Sequence, residues 1–411
     1  GQESELQLLP LAVVPRDQAL LLSYSQERLW FLDQFEGGSA SYNLPGAVRL
    51  TGELDRSVLR RSLNEIIRRH EVLRTNFVME EGRAVQIIAT ELELAIDVTD
   101  LSSLPEELRE SKIQRHLTEE AQKPFDLAHG PLVRASLLAL GSSQSSGMTV
   151  HVLLFTLHHI VSDGWSTAIL IREFIALYEA YRKDQTSPLA ELPIQYADYA
   201  IWQRNWLQGE RLEQQVNYWK QQLAGAAAVL ELPADRPRPV VQSYRGATLY
   251  TTVPQAVTEQ LKLLGRQQDA TLFMVLLARV REVCLGAQTH QDLPFEKLVE
   301  ELAPVRDMSH HPLFQVMLAL QNTPETALEI EGLRITPEFM ETGAAKFDLD
   351  LEISEGKDGL AVQFSYNTDL FDSSTIARMA EHYGVLLAHI AEAPDQLLSE
   401  LQLLTPPERN R

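Results

Sequence analysis

A single cysteine, Cys284, in 411 residues has nothing to pair with inside the chain. No intrachain disulfide is possible, and a reducing, cytoplasmic setting is expected. Long apolar runs are missing too. The longest, Val150 to Leu157, falls far short of the ~20 residues a helix needs to cross a bilayer. The opening residues, Gly1 to Pro10, show no basic stretch leading into an apolar one, so no secretory signal is read there. Cationic residues are outnumbered: 36 Lys and Arg against 57 Asp and Glu give a formal net charge of −21. Without a Lys/Arg cluster to bind a phosphate backbone, nucleic acid and anionic membrane are not expected as partners. Neither HExxH nor CxxC occurs, which removes the common zinc patterns. What remains is the make-up of a folded chain, 45% hydrophobic and 23% charged. Its length suggests two sizeable domains rather than one core.

Periodicity then orders the chain. Residues 1–16, with Pro10 and Pro15, read as a linker. Leu22 to Phe35 is helical by the spacing of Leu29, Leu32 and Phe35, and Asn43 to Leu50 is a strand. A strong helix starts at Asp55, a capping residue type, and carries Val58, Leu59, Leu63, Ile66 and Ile67 as one apolar stripe. Val85 to Asp97 alternates as strands do, Pro105 to Gln122 is helical, Leu132 to Leu140 is a strand, and Gly141 to Gly147 is a loop. Val150 to His159 is nearly continuous in apolar residues, the signature of a strand buried on both faces. A turn at Ser162-Asp163-Gly164 leads into a helix running to about Tyr181. The polar stretch Lys183 to Pro193, with its two prolines, marks the expected boundary between subdomains of residues 17–185 and 186–400. Beyond it, Ile194 to Leu223 reads as one helix, and strands are expected at Thr248–Val253, Leu313–Gln321, Leu349–Ile353 and Leu360–Tyr366. The class is α/β in two halves.

The densest cluster of reactive groups is His158-His159-Ile160-Val161-Ser162-Asp163-Gly164, at the end of the buried strand. Side chains alternate across a strand, so the two imidazoles point to opposite faces. One can project into a cavity while the other is held in the fold, and neither can easily share a metal ion with its neighbour. A projecting imidazole titrates near neutrality and can accept a proton from an ammonium or hydroxyl nucleophile. Aminolysis of an activated acyl group needs little more than a neutral amine held within reach of the carbonyl. Gly164 admits close approach to the backbone, and Asp163 can cap the following helix or form a salt bridge. By residue type alone, however, a histidine pair on a core strand is more often structural than catalytic.

The wider pattern decides the matter. His158-His159-Ile160-Val161-Ser162-Asp163-Gly164-Trp165-Ser166 resembles the HHxxxDG signature of condensation domains of nonribosomal peptide synthetases, within the chloramphenicol acetyltransferase-like superfamily. Further matches follow in the family's order: Ser23 to Leu32 (SYSQERLWFL), Arg69 to Phe77 (RHEVLRTNF), Tyr196 to Trp202 (YADYAIW), His290 to Glu296 (HQDLPFE) and Arg306 to Gln315 (RDMSHHPLFQ). The resemblance implies two chloramphenicol acetyltransferase-like subdomains in a V-shaped pseudo-dimer, with a tunnel entered by two phosphopantetheine arms. One carrier protein brings a donor aminoacyl or peptidyl thioester, the other an acceptor aminoacyl thioester. No cofactor is then bound by the domain itself, since substrates arrive on 4'-phosphopantetheine. His159 is the implied catalytic residue, as general base or as a group that positions the amine. His158, Asp163, Gly164, Trp165, Ser166, Arg69 and Arg74 support it. Arg28-Leu29-Trp30-Phe31-Leu32-Asp33, with Asp163-Gly164-Trp165-Ser166, looks most like the subclass taking an L-configured donor. Residues 401–411, ending Leu403-Leu404-Thr405-Pro406-Pro407-Glu408-Arg409, resemble the linker into an adenylation domain.

Arg69 and Arg74, at a helix C-terminus where cations are favoured, and Tyr196, Tyr199 and Trp202, at helical spacing, are assigned to architecture. Cys284, between Val283 and Leu285, is expected to be a buried core thiol. One departure stands out. The family carries a stretch of two strands and a loop before the His290 motif, whereas here Thr271-Leu272-Phe273-Met274-Val275-Leu276-Leu277-Ala278 runs straight into Arg279-Val280-Arg281. By resemblance the absent stretch supplies the arginine that pairs with Asp163, which leaves a buried Asp163 unpaired unless Arg74 substitutes. Two other functions are therefore carried forward: a catalytically impaired module that binds carrier proteins, and a coenzyme A-dependent acyltransferase of the same superfamily.

Overall fold

The computed structural model describes residues 10–142, 147–227, 229–276, 281–302, 307, 309–311, 313–321, 329–338, 343–394, 396 and 400–409. It divides into two compact units, Gly1–Arg211 with Thr323–Glu341, and Leu212–Asn322 with Thr342–Arg411. In chain order the elements of the first are β1 (Leu20–Leu21), α1 (Tyr24–Glu36), β2 (Asn43–Gly52), α2 (Arg56–Arg69), β3 (Thr75–Glu80), β4 (Arg83–Ile88), β5 (Ile96–Asp100), α3 (Glu106–Gln122), β6 (Val133–Ser142), β7 (Thr149–His158), α4 (Gly164–Arg182) and α5 (Tyr196–Trp206). Those that follow are α6 (Gly209–Gln222), β8 (Gly246–Pro254), α7 (Gln255–Gln267), α8 (Leu272–Leu276), α9 (Arg281–Thr289), α10 (Phe295–Leu302) and β9 (Val316–Gln321). The chain returns to the first unit as β10 (Glu329–Ile330) and β11 (Leu333–Pro337), then completes the second with β12 (Leu349–Gly356), β13 (Gly359–Asn367), α11 (Ser373–Glu392) and α12 (Pro406–Arg409).

In the first unit a six-stranded sheet has the order β10-β11-β2-β7-β6-β5, and β1-β4-β3 form a smaller one. The near-continuous apolar run becomes β7, flanked by β2 and β6, with eight of its ten residues buried. Its burial on both faces has a simple cause. Leu153 and Leu157 join a core with α2 and α4, while Val150, Val152 and Leu154 join one with Ile113 and Leu117 of α3. Helix α2 starts where Asp55 accepts the amides of Ser57 and Val58 at 2.8 and 3.0 Å. Its whole apolar stripe is buried, each large side chain stabilising the fold by roughly 1.5–3 kcal/mol.

The polar stretch Lys183–Pro193, where the sequence placed the boundary, instead connects elements of one unit. Gln195 explains this: its side-chain amide donates to Arg69 O at 2.8 Å and accepts the Glu71 amide at 3.0 Å, binding the start of α5 to the end of α2. The helix expected over Ile194 to Leu223 is two helices, broken where Gly209 adopts φ +55°. Residues 1–9 of the expected linker lie outside the described residues. Its remainder is anchored, Val14 N–H and Arg16 both donating to the Asp198 carboxylate at 2.9 and 2.7 Å.

The second unit is built on a four-stranded sheet, β8-β13-β12-β9, in which β9 runs parallel to β12. Its core gathers Leu261 and Leu264 of α7, Ile376, Leu387 and Ile390 of α11, and the inward residues of β12 and β13. The junction in the expected Thr271–Leu285 helix, residues 277–280, lies outside the described residues. Cys284 corrects an expectation: it is only half-buried, on a helix that leaves Val283 58% exposed. Burial nonetheless pushes its thiol pKa upward. Helix α9 packs instead beside Tyr218, whose hydroxyl leaves no room for a side chain at Gly286. The segment read as an outgoing linker lies against this unit, with Leu401 at the core and the Glu408 carboxylate accepting from Thr405 and facing His382. Among the described residues no helix is long and apolar enough to cross a membrane.

Two buried polar groups generate predictions. His151 of β7 has its Nε2 3.4 Å from Arg56, and its buried Nδ1 has no hydrogen-bond partner among the described residues. Burial first, and Arg56 second, hold its pKa below the usual 6.5. A depressed base favours the neutral folded form, so stability is full above about pH 6.5 and declines as pH falls below it. His151→Gln should flatten the pH dependence of the melting temperature as pH falls below about 6.5, where the parent loses stability. In α4, Glu173 meets the Arg69 guanidinium at 3.2 Å and His70 Nε2 at 2.8 Å. Burial raises the Glu173 pKa, but the hydrogen bonds from His70 and Arg69 outweigh it and leave it at about 2. Glu173→Gln strands the buried Arg69 and should cost about 3 kcal/mol in denaturant unfolding at neutral pH. That gap should close as pH falls from about 4.5 towards 2, where the parent carboxylate also protonates.

Candidate active site

The site is made where β7 runs out. Pairing with β2 places Asn43 opposite His158. Both ladders then run on by one residue in the same register: His158 N–H donates to Leu132 O at 3.1 Å and His159 N–H to Tyr42 O at 2.8 Å. The two rings meet different surroundings, as alternation along a strand demands. His158 is 1% exposed, with the Phe125 ring edge-on at 6.0 Å and Tyr42 at 6.5 Å. Its Nδ1 accepts the Ile160 amide at 3.1 Å and so carries no proton itself. His159 is half-buried.

Ile160 and Val161 then pack into the core beneath α4. Asp163 caps that helix, its carboxylate accepting the Ser166 amide at 2.7 Å and the Ser166 hydroxyl at 2.6 Å. Its backbone carbonyl takes the Thr167 amide at 3.0 Å. Gly164 is the first helical residue, and Trp165 beside it is 60% exposed. This overturns the expectation of a buried Asp163 in need of a cation. Asp163 is exposed, and the carboxylate contacts described for it are with Ser166.

Arg69 and Arg74, grouped with the site by sequence, have their partners elsewhere. Arg69, 4% exposed, binds Glu173 and donates to Ala190 O at 2.9 Å. Arg74 donates to Ala89 O and lies 3.9 Å from the Glu71 carboxylate. What the structure does bring to the turn is the start of α1. Gln26 donates through Nε2 to Ile160 O at 3.4 Å, and Ser23 Oγ lies 3.1 Å from the Tyr196 hydroxyl. Tyr196, expected to serve architecture, is 36% exposed, and half-buried Tyr199 and Trp202 continue an aromatic row along α5. Burial of the hydroxyl end raises the Tyr196 pKa, Ser23 opposes this, and the nearby Asp163 carboxylate adds to it. A signal for Gln26 was legible: Ser23-x-x-Gln26 has the spacing of a capping box. Nothing in the sequence marked the contact with Ile160.

The remaining motif residues belong to the second unit. His290 stacks on Tyr218 with ring centroids 3.7 Å apart, and its carbonyl accepts from Trp219 Nε1 at 2.8 Å. His311 sits among Phe295, Phe314 and Phe347, and Gln315 donates to His311 O at 3.0 Å. Arg306, Met308 and Pro312 lie outside the described residues.

Comparison with known proteins identifies the family of the chain. The condensation domain family model matches residues 16–283 and 273–411, in two overlapping pieces. One of the linear gramicidin synthase polypeptides of Brevibacillus parabrevis is 43% identical over 469 aligned positions that take in 100% of this chain and 6% of the relative. Since the chain has 411 residues, at least 58 of those positions have no counterpart in it. The dimodular nonribosomal peptide synthase of Bacillus subtilis (strain 168) is 34% identical, covering 96% of this chain and 19% of that one. The chain thus spans a small fraction of the curated relatives it matches. Among solved structures, the X-domain from teicoplanin biosynthesis matches with a TM-score of 0.82 and 27% identity, covering 96% of this chain and 100% of that one. The first condensation domain of the calcium-dependent antibiotic synthetase, in complex with a substrate analogue, shares the fold with a TM-score of 0.74 at 18% identity, covering 94% and 100%. On the family match and these relatives, the chain belongs to the condensation domain family, the amide-bond-forming domains of nonribosomal peptide synthesis.

Proposed function

We propose that His159 is the group through which this domain promotes aminolysis. The substrates are a donor aminoacyl or peptidyl thioester and an acceptor aminoacyl thioester, each delivered on the 4'-phosphopantetheine of a carrier protein. One observation carries the reading: the buried His158 commits Nδ1 to the backbone, while its neighbour His159 is only half-buried. Near neutrality the His159 imidazole can take a proton from the acceptor ammonium. The amine then attacks the thioester carbonyl, the C–N bond forms, the C–S bond breaks, the departing thiolate recovers a proton from the imidazolium, and the second proton, shed by the new amide nitrogen, passes to solvent. Asp163, Gly164, Trp165 and Ser166 support this step by starting α4 at a fixed place. Arg69 and Arg74 support it from a distance, by holding the elements behind the turn. The sequences Arg28 to Asp33 and Asp163 to Ser166 favour an L-configured donor, and residues 401–411 favour an adenylation domain as the next neighbour.

A second reading is favoured by the two-piece family match and the 58 or more missing positions. In it the chain binds carrier proteins or recruits another protein without condensing substrates, as the similarity to an X-domain, itself seen in complex with OxyB, suggests. One assay separates them. The unaltered chain is mixed with two loaded carrier proteins and the dipeptidyl thioester is followed by mass spectrometry. Condensation predicts product, lost by about 100-fold or more in His159→Ala. Carrier binding without product in the unaltered chain would establish the second reading, and turnover with coenzyme A thioesters alone would indicate a free-standing acyltransferase. Asp163→Ala removes a helix cap and should lower stability by about 1 kcal/mol in denaturant unfolding. A loss several-fold larger would mean that Asp163 has a buried ionic partner after all.

A further inference from the structure

We infer that Gln26 is a positioning residue for His159, a role that rests on the assignment of His159 made above. Three backbone groups fix the 159–160 dipeptide. His159 N–H is held by Tyr42 O at 2.8 Å, Ile160 N–H by the His158 ring at 3.1 Å, and Ile160 C=O by Gln26 at 3.4 Å. The first two fasten this segment to β7 and its flank. Of these three hydrogen bonds, the third ties the turn to α1.

The chemistry of Gln26 suits this use. It is 1% exposed at the third position of α1, and its carboxamide carries an acceptor and a donor on one planar group. The acceptor, Oε1, takes the Ser23 amide at 3.0 Å, while Ser23 Oγ takes the Gln26 amide at 3.2 Å. This reciprocal pair is a capping box, which Glu completes as well as Gln. The donor, Nε2, faces the Ile160 carbonyl, and neither end can be exchanged, because one partner is an N–H and the other a C=O. A carboxylate at position 26 would therefore keep the cap and lose the tie. Ser23 extends the anchor to Tyr196 of α5 at 3.1 Å, so the donor comes from a braced helix end. A side chain's reach follows its backbone, and displacement of a reacting group by about 1 Å can cost on the order of 100-fold in rate.

The test uses Gln26→Glu in the full chain, beside the parent, Ser23→Ala and His159→Ala, with two loaded carrier proteins. Expected for Gln26→Glu is a single-turnover rate at saturating carriers about 10- to 100-fold down, with half-saturating carrier concentrations unchanged. Hydrogen exchange at the Ile160 and Val161 amides should quicken in the same variant, an outcome readable whether or not the chain turns over. Ser23→Ala, which breaks the cap and leaves the Gln26 donor in place, controls for loss of helix stability. The positioning role is overturned if Gln26→Glu exchanges these amides as the parent does, if it condenses at the parent's rate while His159→Ala is inactive, or if Ser23→Ala reproduces its rate loss at equal loss of melting temperature. His159→Ala at the parent's rate overturns instead the assignment beneath it.

Discussion

The end of β7 depends on where its last amides go. A strand in the middle of a sheet satisfies its backbone through two neighbours, and it can stop only where other acceptors take over. Here the two ladders run one residue further, Leu132 O and Tyr42 O taking the two histidine amides, and the His158 ring then replaces a strand neighbour for the third, that of Ile160. An imidazole thereby does the work of a backbone acceptor inside the core. A hydrophobic residue at 158 would leave the Ile160 amide without this acceptor, and burying such a group unpaired costs about 1–3 kcal/mol. The first histidine of the pair is thus explained by the termination of a strand, and the second by what that termination leaves facing outward.

The same segment is held from behind by charge. Arg69 lies in the interior with Glu173 as its counter-ion and Ala190 O as a further acceptor. An ion pair so placed contributes modestly to net stability, yet it is costly to break, and it prescribes geometry. Glu173 is on the helix that begins at Gly164, Arg69 is on α2, and Gln195 carries the connection from Arg69 O to the start of α5. The helix that Asp163 caps is therefore fixed at its first turn by its own cap and again further along by a buried pair. The turn that bears His159 thus leads directly into a helix held at both of these points.

Much of this was legible beforehand. The apolar run 150–159 gave the central strand, the stripe on α2 gave a core helix with Asp55 as its cap, and strict alternation separated the two histidines by burial. These are one-dimensional patterns with a direct three-dimensional consequence. The failures share a cause as well. Gln195 and Gln26 act through backbone groups more than a hundred residues away, and nothing in a local window encodes such a partner. The break at Gly209 was hidden within a continuous helical pattern, because a single glycine only weakens a helix. Cys284, Val283 and Leu285 looked like core by composition alone, and the structure leaves that side of α9 largely open.

The contact set of Asp163 bears on the missing segment. Were this carboxylate buried, loss of a paired arginine would strand a charge at a cost of several kcal/mol, and the turn could not persist unchanged. Instead it is exposed and engaged by two donors of Ser166 at 2.6 and 2.7 Å, both within its own helix end. The cap is local, since donor and acceptor are three residues apart and no distant element is required to complete it. The cap that starts α4 is therefore complete within residues 163–166.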